Sequence, residues 1–296
     1  MRISRRPIPA LRPFVETLWA IDEGNGSARN HAVKVERVLP TGATHLVFRV
    51  SDTPLRVLGM PGVLDDPNGS APLQTVGCAV VGGARSTFYV RDVSRPVHSV
   101  GAQFRPGAVP LLFGVPADAL AGRHTRLEDL WGHAAAEARG RIAEAGSLEE
   151  ELVVLESILA SRLPTVRGLH PAVAEALEHF AHSADVQRAV ERSGHSQRHF
   201  IELFRGAVGL GPKTFARVRR FQRALGALAP GVSLGRVALE SGYSDQSHFN
   251  RDFAELAGLP PREYLRAAPA SVNHVPERVR ETGEIARHRS SSGCKT

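Results

Sequence analysis

Two observations predict an α+β chain in two domains: a β-rich, barrel-like N-terminal domain with following helices, and an all-α C-terminal domain. Apolar residues fall in short runs bounded by Pro and Gly over about the first 105 residues and at helical spacing thereafter. The later part of the helical region then repeats itself at an offset of 48 to 49 residues, the mark of a duplicated supersecondary unit. With 296 residues the chain has room for two domains of about 150 residues each.

In chain order, Thr44–Val50, Arg56–Gly59, Thr75–Val81 and Val97–Phe104 read as strands, each bounded by turn-forming residues. Arg105-Pro106-Gly107 closes the series; Arg105 could meet an anionic effector, but a strand-ending turn residue is the better reading. Residues 126–145 and 147–163 then carry helical spacing, with Leu148, Leu152, Leu155 and Leu159 on one face. Such a stripe ordinarily packs on its own domain, a dimer seam being the alternative. Pro164 stops this helix and Leu163–His170 reads as a linker. The expected division is therefore 1–163 for a regulatory domain and 170–267 for the helical domain. Residues 268–296, mixing Pro, Ser, Gly and alternating charges, are expected to form a disordered tail.

Composition narrows the class. A hydrophobic fraction of 42% with 23% charged residues is ordinary for a soluble globular protein. The net charge of +7 favours polyanionic partners without naming one. Cys78 and Cys294 make neither a disulfide framework nor a zinc-ligand set and suit a reducing cytosol. Met1–Pro13 lacks the apolar core of a secretory signal. Gly107–Gly122, the most apolar stretch, is interrupted by two prolines and Asp118. A cytoplasmic protein with no membrane partner is expected. His45 and His98 lack Cys, Asp or Glu at ligand spacing, so they read as ordinary histidines and no metal is expected. Gly82-Gly83-Ala84-Arg85 lacks the Lys-Ser/Thr of a phosphate loop, and the sequence holds no recognised catalytic motif. The reading is a protein without cofactor or enzymatic activity.

The repeat carries the functional information. Val186–Gly194 matches Leu234–Gly242, and after one extra residue in the second copy Phe200 pairs with Phe249, Phe204 with Phe253, Pro212 with Pro261 and Phe215 with Tyr264. In each copy a short amphipathic helix runs into Ser-Gly, where glycine tolerates the left-handed conformation that ends a helix. Ser196 or Ser244 can cap a second helix, whose Phe pair at i and i+4 packs inward. Two helices joined by a tight glycine turn make a helix-turn-helix, which in DNA-binding versions lays its second helix in the major groove. The outer face then holds Gln197, Arg198, His199, Glu202 and Arg205 in the first unit, and Asp245, Gln246, Ser247, Asn250 and Arg251 in the second. A linker helix over Lys213–Leu228 joins the units and carries Lys213, Arg217, Arg219, Arg220 and Arg223. Residues 196–223 hold seven basic residues against one acidic, a local excess suited to phosphate contacts.

Ser241-Gly242-Tyr243-Ser244-Asp245-Gln246-Ser247-His248-Phe249, followed by Phe253 and Gly258-Leu259-Pro260-Pro261, resembles the signature of AraC/XylS-type transcription regulators. The resemblance covers Asp185–Arg266. It implies a regulator that binds double-stranded DNA with its two units in adjacent major grooves, about 34 Å apart. Val190 departs from the small Ala usual in the family and present as Ala238 in the second copy. Asp245 and His248 are family features and, of the outer residues, the better candidates for a structural role. The front half resembles a sensor-like domain often found ahead of such regions, in Leu39-Pro40-Thr41-Gly42, Gly101–Gly107 and Leu130-Trp131-Gly132. A small-molecule effector is expected there, while contact with RNA polymerase and homodimerisation are left open. Two other classes are kept beside this one. An alkyl-transfer repair protein with a related DNA-binding module would need a reactive Cys78; a module for protein contacts would not bind DNA.

Overall fold

In the computed structural model, which describes residues 1–24, 33–58, 73–163 and 168–278, the N-terminal strands pair into two antiparallel sheets. In chain order the strands are β1 (Arg2–Arg5), β2 (Val15–Asp22), β3 (Val33–Val38), β4 (His45–Arg49), β5 (Leu55–Leu58), β6 (Leu73–Gly77), β7 (Ala79–Gly82), β8 (Tyr89–Asp92), β9 (His98–Phe104) and β10 (His124–Arg126), with β11 (His274–Arg278) near the end of the chain. One sheet has the order β1-β2-β9-β4-β7-β10 and the other β11-β3-β8-β5-β6. The expected runs Thr44–Val50 and Val97–Phe104 coincide with β4 and β9, and Arg56–Gly59 overlaps β5 up to Gly59, which lies outside the described residues. The run Thr75–Val81 is divided between the sheets. Gly77, at φ +154°, and Cys78 take the chain from β6 in one to β7 in the other.

Alternation along the strands sets which face of the larger sheet is covered. Leu18, Ala20, Leu46, Phe48, Val81, Val100, Ala102 and Phe104 form one buried face. The helices over it are α1 (Val109–Phe113), α2 (Glu128–Trp131), α3 (Ala134–Ala143) and α4 (Leu148–Ser161). The helical stretch 126–145 is broken between α2 and α3 at Gly132, whose φ of +57° no ordinary residue adopts cheaply. Ser147 caps α4 by accepting from the Glu150 amide. The leucine stripe of α4 lies inside this core, so it packs on its own domain. Two buried α4 carboxylates are paired: Glu156 with Arg5 and the Ile8 amide, and Glu151 with His98 at 2.6 Å. Arg105 donates to the Arg12 carbonyl at 2.9 Å, as a turn residue would.

The remaining helices are α5 (Pro171–His182), α6 (Val186–Ser193), α7 (Gln197–Val208), α8 (Pro212–Ala227), α9 (Leu234–Glu240), α10 (Gln246–Ala257) and α11 (Pro261–Ala267). Their core is aromatic, built on Phe180, Phe200, Phe204, Phe215, Phe221, Phe249 and Phe253, and it also takes in Leu39, Ala84 and Val275 from the sheet region. The two halves of the chain therefore share a hydrophobic cluster. Gln222 of α8 donates to the Pro40 carbonyl at 2.7 Å and to Asn273 Oδ1 at 2.9 Å. Arg37 donates to the Ala257 carbonyl, and the Phe88 amide to that of Leu256. Gly42 sits against Val218 and Phe215, where a Cβ would come within 3.3 Å.

The expected disordered tail is corrected here. Residues His274–Arg278 form β11, antiparallel to β3, with Val275 buried and the Leu39 amide donating to the Asn273 carbonyl. A five-residue segment containing Pro276 has no strand signature of its own; the open edge of β3 supplies it. Residues 279–296 lie outside the described residues.

A polar clasp closes this edge. Glu36 accepts from Arg91 Nε at 2.7 Å and lies 3.2 Å from His274 Nδ1. Burial alone would raise the Glu36 pKa, but the His274 hydrogen bond and the Arg91 charge outweigh it and bring the group down to about 2. A depressed carboxylate stabilises the fold above its unfolded value, and that contribution is lost as pH falls through the folded one. Glu36→Gln should therefore cost about 2–3 kcal/mol in urea unfolding at pH 7, and the difference from wild type should shrink between pH 4.5 and about 2. A difference independent of pH would show that the charge is not what holds the clasp.

Candidate nucleic-acid interface

Each helical pair is built by local rules. In the first, Asp185 caps α6, Gly194 ends it at φ +68°, and Ser196 caps α7 by accepting from the His199 amide. In the second, Gly242 stands at φ +89° between α9 and α10. The α10 cap is not Ser244, as expected, but Asp245, whose Oδ1 accepts from the His248 amide at 2.7 Å. The extra residue in the second copy shifts the cap by one. The hydrogen bond from the His248 amide is the main reason the Asp245 carboxyl lies below its ordinary range. Ser244 instead bridges Asp245 Oδ2 and His248 Nδ1, at 3.0 and 3.1 Å. Asp245 and His248 thus have structural work in the turn.

On the buried sides, Phe200 and Phe204, and Phe249 and Phe253, have no exposed surface. On the opposite sides Gln197, Arg198, His199, Glu202, Arg205, Gln246, Ser247 and Arg251 are exposed. Arg198 pairs with Glu202 one turn on at 3.1 Å, an exposed pair worth well under about 1 kcal/mol and easily exchanged. His199 also packs edge-on to His195, with ring centroids 4.9 Å apart. Asn250 differs from the expectation: it is half-buried, and its amide oxygen is turned inward without a hydrogen-bond partner among the described residues.

The linker helix divides its basic residues into two groups. Arg217 donates to Asp252 and Glu255, and Arg220 reaches Asp252 Oδ2 at 3.5 Å while its guanidinium lies 4.4 Å from the Tyr243 ring centroid. Tyr243 Oη donates to the same carboxylate at 2.9 Å, within a buried setting. Burial, then the Asp252 charge, pushes the Tyr243 phenol well above its ordinary range, so it stays a donor. Arg217 and Arg220, expected to meet phosphate, are ion-paired with Asp252 and so tie α8 to α10. Their charge signature on a helix face is the same in either role, and Asp252 gave no sequence signal. Lys213 is exposed and Arg219 half-buried. Arg223, on the same helix, has Nη1 buried without a hydrogen-bond partner among the described residues. Burial, and then the charges of Arg219 and Arg220, hold its guanidinium below the ordinary value. These like charges leave an anion as the natural complement of this stretch of α8.

Among the described residues, no group of three or more His, Cys, Asp or Glu is placed to hold a metal ion, and no helix is long and apolar enough to cross a membrane. Cys78 is half-buried between β6 and β7.

Comparison with known families places residues 189–267 in the family described as a helix-turn-helix domain. Residues 4–126 match a domain of unknown function (DUF6597). The comparison with curated proteins returned no match. Among solved structures, the xylose-binding transcription activator xylR is 21% identical with a TM-score of 0.30, covering 36% of this chain and 29% of its own. The chain thus spans under a third of that protein. ToxT from Vibrio cholerae is 10% identical with a TM-score of 0.41, covering 79% of this chain and 96% of its own. The C-terminal domain of AraT, a response regulator from Geobacillus stearothermophilus, is 18% identical with a TM-score of 0.32, covering 43% of this chain and 100% of its own.

Removing the buried carboxylate takes a partner from two guanidiniums and a phenol, leaving Arg217 with Glu255 alone, so Asp252→Ala should destabilise the chain by about 3–5 kcal/mol. Arg198→Ala should change stability by less than about 0.5 kcal/mol. Thermal unfolding of the two variants would distinguish the roles, and equal effects would contradict them.

Proposed function

We propose that this chain, with a helix-turn-helix domain at 189–267 behind a domain of unknown function at 4–126, is a DNA-binding transcription regulator of the AraC/XylS type that reads an asymmetric site with two heads under control of a small-molecule effector. The observation that carries the reading is the matched pair of capped helices, α7 and α10. Each has its Phe pair fully buried and a row of exposed hydrogen-bonding side chains opposite.

In this reading Gln197, Arg198 and Arg205 of α7 and Gln246, Ser247 and Arg251 of α10 face base edges, with Arg suited to guanine and Gln to adenine. His199 sits at the entry of α7. Lys213, Arg219 and Arg223 contact phosphate. Arg217, Arg220, Asp245 and Asn250 position the second head. The α4 leucine stripe is internal, so no surface is assigned to a homodimer. One chain with two unlike heads suffices for a site without symmetry.

Selection of bound sequences from a random DNA pool should enrich two short unlike blocks about 10 base pairs apart, with affinity falling steeply as salt rises. Arg198→Ala or Gln246→Ala should cost about 1–3 kcal/mol and relax preference within one block. Arg219→Ala should weaken all sequences alike and flatten the salt slope. If no site is enriched by either the full chain or the isolated helical region, DNA reading itself is wrong.

A further inference from the structure

Facing sheets ordinarily interdigitate into an apolar core. Between the two sheets here, the buried apolar cluster consists of Leu55, Val57 and Val80. Val76 and Tyr89 pack against it, and beside this small cluster the facing surface carries polar residues. Strand register places Thr17, Gln103, His45, Gly82 and His124 as successive partners across the face of the larger sheet that the helices leave uncovered. The neighbouring row holds Trp19, Gly101, Val47 and Val80. Glycine in central strands marks places where something else must fit. A Cβ on Gly101 would lie 2.3 Å from the Trp19 ring, so the indole rests directly on the β9 backbone.

From the opposite sheet Tyr89 brings its ring to 4.6 Å from that of His124, and Arg91 shares its strand face. Arg85 meets His124 Nδ1 at 2.9 Å and lies 4.8 Å from the Tyr89 ring centroid. Trp19, His45, Tyr89, Arg91 and His124 all keep solvent-accessible surface, although they lie between the sheets. Burial, then nearby positive groups, brings His45 down to about 4 and His124 to about 3. At neutral pH both imidazoles are uncharged, and His124 lies beside the Arg85 guanidinium.

We propose that this interior, bounded by Trp19, His45, Arg85, Tyr89, Arg91 and His124, binds a small organic anion. Its carboxylate or phosphate head lies on Arg85 with His45 and His124, and its flat apolar body lies against Trp19 and Tyr89. The inference rests on the effector reading above and supplies its chemistry. The site also borders the reader: Thr41 Oγ1 lies 3.1 Å from His45 Nε2, and the adjoining Gly42 packs on Phe215 and Val218 of α8. A head group that engages His45 competes directly with Thr41.

The test uses the full chain without DNA, titrated with 3-phenylpropionate, its neutral amide and inorganic phosphate, with tryptophan fluorescence and thermal midpoint as readouts. Trp131, buried and stacked on Phe113, is the only other tryptophan, so Trp19→Phe isolates the signal. The acid should quench Trp19 and raise the midpoint by several degrees near saturation, with the amide at least about tenfold weaker. Arg85→Gln, checked for folding by circular dichroism, should lose the preference for acid over amide. Trp19→Phe should lose the quench and lessen the midpoint rise, since the ring is part of the site's wall. Stabilisation by phosphate that also needs Arg85 would support the head-group position. No stabilisation by either anion up to about 10 mM, equal action of acid and amide, or an effect that survives Arg85→Gln would each overturn the proposal. Since no DNA is present, such a failure leaves the DNA-reading proposal standing, and a failed operator selection leaves this one standing.

Discussion

Helix α8 has to satisfy three neighbours with a single 16-residue cylinder, and the placement of everything that could touch DNA follows from how it does so. Phe215, Val218, Phe221, Ala224 and Leu225 are its buried side, spaced at three and four residues as a helix requires. Phe215 meets Phe180 of α5 and Phe204 of the first head, and Phe221 meets Phe253 of the second. The same helix reaches the sheet region through Gln222 and the Gly42 contact. Arg217 and Arg220 complete the arrangement by closing on Asp252, a buried carboxylate of α10. A rotation of the second head about α8 would expose that carboxylate unpaired, so the angle between the heads is fixed by electrostatics as well as by packing.

What was legible in the sequence tracks how local its cause is. The glycines at 194 and 242, the inward Phe pairs and the Ser196 cap are consequences of a few adjacent residues, and the structure has them where the repeat put them. The single inserted residue in the second copy already exceeds that horizon, since it hands the cap from Ser244 to Asp245. Arg217 and Arg220 lie wholly beyond it. Their partner is 32 or more residues away, and a basic residue on a helix face looks alike whether it will meet phosphate or carboxylate. In the sheets, β4 and β9 are central, apolar and readable, whereas β10 and β11 are short edge strands that exist because a neighbour offers unpaired backbone. Leu39-Pro40-Thr41-Gly42 could be recognised by resemblance, yet its role as the seat of α8 is purely tertiary.

The contacts also rank by what would yield first. The heads are tied to one another by aromatic packing and a buried ion-paired carboxylate, whose rupture costs about 3–5 kcal/mol. The helical domain is tied to the sheet region by a few hydrogen bonds of about 0.5–1.5 kcal/mol each, with a charged donor in Arg37, by the Glu36 clasp, by Gly209 lying close to Ala117, and by Leu39, Ala84 and Val275 at the margin of the aromatic core. A perturbation arising between the sheets, next to Thr41, therefore meets the weaker joint before the stronger one. The pair of heads is expected to move as one body relative to the sheets, keeping its internal spacing. An effector acting this way changes how often the reader is presented and leaves the sequence it prefers unaltered, and it does so only to the extent that it binds the two arrangements unequally.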